Sequence, residues 1–170
     1  LTDLQARVDE SSSAVALTLR TLARAYLRSE ALEGRRQDGR ALNELRPLSI
    51  QTDVLPRSAG SSLITRGGTQ SLVAVTLGQQ SDAPTSEGLF GRVRPSLFCH
   101  YNFPGFATHD IRPSRNPNRR EIGHGLLIQR ALTPLFQLPK RGQSVRLVAD
   151  ILASDGASST TSLCGATLAL

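Results

Sequence analysis

Methionine and tryptophan are absent from this 170-residue chain, and lysine occurs once, at Lys140. A chain of this length ordinarily carries a few methionines, the initiator included. The start at Leu1 and the end at Leu170, inside an apolar run, therefore lead us to expect a piece of a longer protein. Cysteine is scarce: Cys99 and Cys164 are too few for a disulfide scaffold, and neither has the near neighbour that a zinc site requires. Both lie in apolar stretches, which predicts buried thiols in a reducing compartment. No run approaches the roughly 18 apolar residues that span a bilayer, so no membrane partner is expected. A signal peptide is not visible. The sequence also lacks a Walker-type glycine loop, a nucleophile elbow and paired carboxylates suited to holding Mg²⁺.

What is present is enough for one domain of ordinary size. Apolar residues make up 39% and charged residues 20%, so a core can form. Twenty basic residues against fourteen acidic ones give a formal net charge of +6, nearly all of the basic side being arginine. Arginine suits bidentate phosphate contacts, and a basic surface favours nucleic acid through counterion release. A merely solvated basic surface is equally consistent with the charge alone.

Residues 2–32 read as helical, with Val15, Leu19, Leu22 and Tyr26 on one face. Ser11, Ser12 and Ser13 interrupt the pattern, so one helix or two fit it. Gly34 stops the segment, and Asp38-Gly39 marks a turn in the arginine-rich loop that follows. The main boundary falls here, giving a helical segment at 1–34 and a second domain at 35–170. Strands are expected at Leu48–Leu55, Ser61–Thr65, Thr69–Leu77, Leu97–Phe103 and Val145–Leu152. Ser61–Thr65 and Thr69–Leu77 flank a hairpin turn at Arg66-Gly67-Gly68, and the near-continuous apolar run from Ser71 to Leu77 predicts a buried central strand. Residues 79–96 read as an exposed loop and 104–118 as an irregular basic one. Helices are expected over Glu121–Leu135, with Ile122, Leu126, Leu127 and Leu132 mostly on one side, and from Ser158 onward. The order of elements gives an α+β domain.

Three stretches carry candidate chemistry. Arg119 and Arg120 stand at a helix start, where cations oppose the helix dipole unless an anion is near. His124 lies one turn further in, between Gly123 and Gly125, each costing about 1 kcal/mol of helix stability against alanine. Glycines there suggest close approach by backbone or ligand. Ser158 and Ser159 open a helix after the turn Ser154-Asp155-Gly156-Ala157, where unpaired N–H groups and hydroxyls suit an anion. Alternative readings stand beside each: helix caps for the serines, a solvated pair for the arginines, a core histidine for His124. His100-Tyr101-Asn102-Phe103-Pro104 offers aromatics that stack on RNA bases, or a strand end packed on the core.

Many short stretches, in order, resemble the second RNase PH-like core domain of the polynucleotide phosphorylase family. They are Asp38-Gly39-Arg40, Arg46-Pro47-Leu48, Val54-Leu55-Pro56-Arg57, Gly60-Ser61, Thr65-Arg66-Gly67, Thr69-Gln70 and Thr76-Leu77-Gly78. After them come His100 to Pro104, Arg112-Pro113, Arg119 to Gly125, Cys164-Gly165 and Leu168-Ala169-Leu170. The resemblance covers roughly residues 35–170, and residues 2–32 resemble the end of the preceding helical region. It implies an RNase PH-like (ribosomal protein S5 domain 2-like) core of which this chain holds the N-terminal half. It implies 3′-to-5′ phosphorolysis of single-stranded RNA to nucleoside diphosphates, reversible as template-free polymerisation.

On that pattern Ser158 and Ser159 hold inorganic phosphate, the co-substrate. Arg119, Arg120 and His124 line the same site or the RNA end. Mg²⁺ assists from acidic ligands expected beyond Leu170, and a homotrimer threads RNA through its centre, with other RNA-degradation proteins as further partners. The resemblance fits the bacterial cytoplasm, or alternatively a chloroplast or mitochondrion. The family usually carries Asn at 155, Ser at 157 and Glu at 68, where this chain has Asp155, Ala157 and Gly68. The chain alone is expected to be inactive and not independently stable. The competing reading is a non-catalytic RNA-binding or scaffold subunit of an exosome-like ring.

Overall fold

A computed structural model describes residues 13–89, 91–111, 116–135 and 142–170. The chain divides into two compact units, Leu1–Leu45 and Arg46–Leu170.

The first unit holds helix α1 (Ser13–Leu32). Whether a second helix precedes it concerns residues outside those described. On the expected apolar face Val15 and Leu19 are half-buried, while Leu22 and Tyr26 stay more than half exposed. Gly34 ends the helix in a left-handed conformation (φ +78°) that glycine adopts without a Cβ penalty. Its N–H donates to the Ala31 carbonyl at 3.1 Å and the Arg35 N–H to the Glu30 carbonyl at 2.9 Å, capping the last turn. The arginine-rich loop is paired with its own carboxylates: Arg35 with Glu30 and Glu33, Arg36 and Arg40 with Asp38. Its positive charge is thus partly spent locally.

The second unit is built on one five-stranded sheet of order β1-β2-β3-β7-β6, with a separate two-stranded ribbon, β4-β5. The strands are β1 (Leu48–Thr52), β2 (Gly60–Arg66), β3 (Thr69–Gln79), β4 (Ser86–Gly88), β5 (Gly91–Val93), β6 (Leu97–Asn102) and β7 (Gln143–Ala153). The β2–β3 hairpin turns through Gly67-Gly68, Gly67 taking the positive φ (+57°) that such tight turns demand. β3 pairs antiparallel with β7, and β6 lies parallel to β7. The stretch read as an exposed loop at 79–96 instead contains a 3₁₀ turn at Gln80–Asp82 and the β4–β5 ribbon.

Helices α2 (Arg119–Leu132) and α3 (Ser158–Ala169) belong to this unit. Alternate residues of the two central strands, Val73 and Val75 with Val145, Leu147, Ala149 and Ile151, form the core with Ile128 and Leu132 of α2 and Ala166 and Ala169 of α3. β3 is central as expected but buried on one face only: Leu72 and Ala74 are half-buried and Leu77 is exposed. The buried stripe of α2 runs through Gly125, Ile128 and Leu132, while Ile122, Leu126 and Leu127 face outward, contrary to the helical face expected from sequence.

α3 approaches the sheet closely because small residues face it. A Cβ on Gly165 would lie 2.9 Å from the Val73 side chain and 3.1 Å from that of Ile64. Buried hydroxyls tie the layers together. Ser62 Oγ donates to the Gly165 carbonyl at 2.7 Å, and Ser71 and Ser162 hydroxyls meet at 3.0 Å. Cys99 is half-buried on β6, and burial pushes its thiol up to about 12. Cys164, expected to be buried, is exposed on α3.

Candidate functional site

Three chain ends meet in the second unit: the C-terminal end of β6 and the N-termini of α2 and α3. α2 starts where it does because Asn118 and Glu121 cap each other. Asn118 Oδ1 accepts from the Glu121 N–H at 2.9 Å, and Glu121 Oε2 accepts from the Asn118 N–H at 2.8 Å. The second oxygen, Glu121 Oε1, accepts from the Phe103 N–H at 2.7 Å, tying the helix start to the end of β6. Glu121 is therefore committed to backbone donors and pairs with neither neighbouring arginine.

Arg119 and Arg120 occupy the first two helical positions. Arg120 lays its guanidinium 4.2 Å from the Phe103 ring centroid, and its Nη2 stands 3.5 Å from Ser158 Oγ. Arg119 is exposed and makes no ion pair among the described residues. One turn on, His124 sets its ring edgewise on Tyr101, with centroids 4.9 Å apart and planes at 85°. Its Nδ1 is buried and has no hydrogen-bond partner among the described residues. Burial first, and the Arg120 charge second, hold this imidazole below the ordinary histidine range, favouring the neutral form.

Tyr101 is buried, and its O–H donates to Ser158 Oγ at 2.8 Å. Burial raises the phenol above its usual range, so it stays a donor. This residue joins His124 on α2 to Ser158 on α3. Among the sequence readings it is core packing, and nothing in the His100–Pro104 pattern marked its hydroxyl. Phe103, likewise read as packing, is partly buried against the core and also carries the Arg120 guanidinium.

The N-cap of α3 is Ala157, in a left-handed conformation (φ +55°) with no side-chain cap. Ser158 and Ser159 sit inside the first turn, so the cap reading does not describe them, and among the described residues no side chain caps the helix start. Ser158 is buried and Ser159 half-buried beside it. Asp155, whose charge would oppose an anion here, is turned instead to Arg46, with Nη2 and Oδ2 3.3 Å apart.

The structure thus brings together Arg120, His124 and Ser158, with Arg119 and Ser159 alongside. A cleft of about 1000 Å³, lined among others by Asn102, Phe103, Phe106, Asn118, Arg120 and Glu121, opens next to them. Chemically the arrangement offers guanidinium, hydroxyl and helix-terminal N–H donors, the groups that can receive an anion, beside a neutral imidazole.

Tyr101→Phe tests the link. Ser158 Oγ would lose its donor at a buried position, which costs on the order of 1 kcal/mol. We expect a correspondingly lower urea midpoint with an unchanged slope; an unchanged midpoint would show that the 2.8 Å contact contributes nothing.

A mixed five-stranded sheet backed on one face by two helices defines the class. Residues 44–170 match the 3′ exoribonuclease family, domain 1 (RNase PH), and the chain belongs to that family. A polyribonucleotide nucleotidyltransferase of Campylobacter hominis is 47% identical over 150 residues, covering 86% of this chain and 21% of that protein. That of Elusimicrobium minutum is 45% identical over 168 residues, covering 98% and 24%. That of Herpetosiphon aurantiacus is 45% identical over 172 residues, covering 99% and 21%. The chain spans about a fifth to a quarter of the length of these relatives.

Among solved structures, an Archaeoglobus fulgidus exosome with RNA bound to the active site superposes with a TM-score of 0.65 at 21% identity, over 89% of this chain and 61% of that one. An archaeal exosome core gives 0.62 at 20%, over 89% and 58%. These two likenesses speak for the RNase PH-like fold alone.

The family implies Mg²⁺, and the described residues do not fit it: no group of three His, Cys, Asp or Glu among them converges to hold a metal ion. Among the described residues, no helix is long and apolar enough to cross a membrane.

Proposed function

We propose that this chain forms the phosphate-binding and RNA-end-binding wall of a phosphorolytic 3′-to-5′ exoribonuclease, a polyribonucleotide nucleotidyltransferase. One observation carries the reading: Arg120, the Tyr101–Ser158 hydrogen bond and the uncapped start of α3 converge on one point. Attack of phosphate on a phosphodiester brings two anions together, so their repulsion must be offset by donors fixed in advance. Ser158 and Ser159, with the first N–H groups of α3, bind inorganic phosphate. Arg119 and Arg120 bind the terminal phosphodiester. His124, neutral and flanked by Arg120, contributes hydrogen bonding rather than further charge.

A phosphate oxygen attacks the terminal phosphorus, and the bond to the penultimate 3′-oxygen breaks. Nucleoside diphosphate leaves, and the proton of monohydrogen phosphate balances the new 3′-hydroxyl. The reverse direction extends RNA without a template. The active assembly is a homotrimer around single-stranded RNA, together with other RNA-degradation proteins. The bacterial cytoplasm is the proposed compartment, in keeping with the bacterial relatives.

The test supplies the full-length gene product with poly(A) and phosphate. Phosphate-dependent release of nucleoside diphosphate is expected. No release, or equal release without phosphate, overturns the reading in favour of a non-catalytic scaffold. In the active enzyme, Ser158→Ala with Ser159→Ala should raise the KM for phosphate, because losing an oriented donor to a reacting anion costs about 2–4 kcal/mol. An unchanged KM removes both serines from the phosphate site.

A further inference from the structure

Thr69 is fully buried yet polar, at the first position of β3, and both of its hydrogen bonds go to one remote turn. Its Oγ1 accepts from the Asp155 N–H at 2.9 Å and donates to the Gly156 carbonyl at 2.7 Å. Arg46 grips the same turn, donating through Nη1 to the Asp155 carbonyl and approaching the carboxylate with Nη2 at 3.3 Å. The turn so held has two successive left-handed residues, Gly156 (φ +84°) and Ala157 (φ +55°). For a residue with a Cβ that conformation is disfavoured, by roughly 1–2 kcal/mol. The surrounding contacts must therefore impose it, and Ala157 is the very residue that leaves α3 without a side-chain cap.

We propose that Arg46, Thr69 and Asp155 form a brace of positioning residues that sets the affinity of the α3 start for phosphate without touching the anion. This rests on the phosphate reading above. The ion pair itself adds little stability, because the Asp155 side chain is 70% exposed and exposed ion pairs contribute little. What the contacts fix is direction. Thr69 holds an N–H and a carbonyl on either side of one peptide unit, so the turn cannot rotate. The first N–H groups of α3 then keep their aim.

The experiment uses the full-length enzyme with RNA saturating and phosphate varied, on wild type, Thr69→Val, Thr69→Ser and Arg46→Met. Thr69→Val removes the hydroxyl at equal volume and should raise the KM for phosphate about tenfold, the equivalent of one buried hydrogen bond. The KM for RNA should stay within twofold. Thr69→Ser should restore the phosphate KM, and Arg46→Met should raise it in the same sense. The proposal is overturned if the phosphate KM is the same in all four proteins, if kcat falls with KM unchanged, or if serine fails to rescue. A wild type that forms no nucleoside diphosphate sinks the phosphorolytic reading instead. The brace is then scored by calorimetric titration of inorganic phosphate into the same proteins, and equal or absent binding overturns it too.

Discussion

Arg120→Lys is expected to lower the kcat/KM of phosphorolysis by about 10²- to 10³-fold in the full-length enzyme, although the formal charge is unchanged. The guanidinium is held by its shape. It lies over the Phe103 ring, 4.2 Å from the centroid, with Nη2 directed at Ser158 Oγ. A planar group in that pose offers further N–H donors in a fixed fork to a phosphate or phosphodiester oxygen. Lysine keeps the charge but is a rotatable point donor and loses the stacking. Stability should hardly change, because Arg120 is exposed and forms no ion pair among the described residues. Steady-state rates on poly(A) read against an unfolding curve separate the two effects. Retention of activity within threefold would show that Arg120 acts as a point charge. Arg119→Lys is the useful comparison, since Arg119 has no such platform among the described residues.

How much of this was legible in sequence differs from residue to residue, for physical reasons. The hairpin at Gly67-Gly68 and the stop at Gly34 were readable because a positive φ favours glycine strongly and locally. The start of α2 was read two residues late, at Glu121 instead of Arg119, because the reciprocal cap of Asn118 and Glu121 draws both arginines into the first turn. The α+β order held, and residues 44–170 match the RNase PH family that the resemblance had indicated. Faces were harder. Ile122, Leu126 and Leu127 satisfy helical spacing, yet Gly125 faces β6 because only a residue without Cβ fits there. An apolarity pattern ranks glycine low and so points to the wrong side of the helix. Cys164 failed likewise: apolar neighbours in sequence are not its neighbours across α3.

The long-range polar contacts were invisible. Tyr101 and Ser158 are 57 residues apart, and Thr69 and Gly156 are 87 apart. Neither pair has a spacing that a local pattern encodes. Asp155 shows the cost of reasoning without the partner. Beside an anion site its charge looks harmful, but Arg46, 109 residues away, takes both its carbonyl and its carboxylate. The serines were weighed against a cap reading, and only the backbone could decide, by making Ala157 the N-cap.

Gly125→Ala is the second substitution with a large expected effect, and propensity alone gives it the wrong sign. Alanine in a helix interior is favoured over glycine by about 1 kcal/mol. At this position, however, the new Cβ would stand 2.8 Å from the Cys99 carbonyl oxygen and 3.8 Å from Tyr101 Cβ. The carbonyl belongs to β6, whose Cys99 is in register with the fully buried Leu147 of β7, so the ladder to β7 resists its retreat. α2 must move instead. Overpacking of this kind costs about 1–3 kcal/mol, which matches or exceeds the gain in propensity. The functional loss should be larger than the loss of stability, because the same helix carries Arg119, Arg120 and His124. A displacement approaching 1 Å in a positioning element can cost about 10²-fold in rate. Gly123→Ala supplies the contrast: nothing lies within 4 Å of its added Cβ, so it should gain stability by about 1 kcal/mol. Urea unfolding of both variants, with phosphorolysis rates for Gly125→Ala, gives the decision. If the two alanines stabilise equally and Gly125→Ala keeps its rate, the close approach of α2 to β6 does not set the position of the arginines.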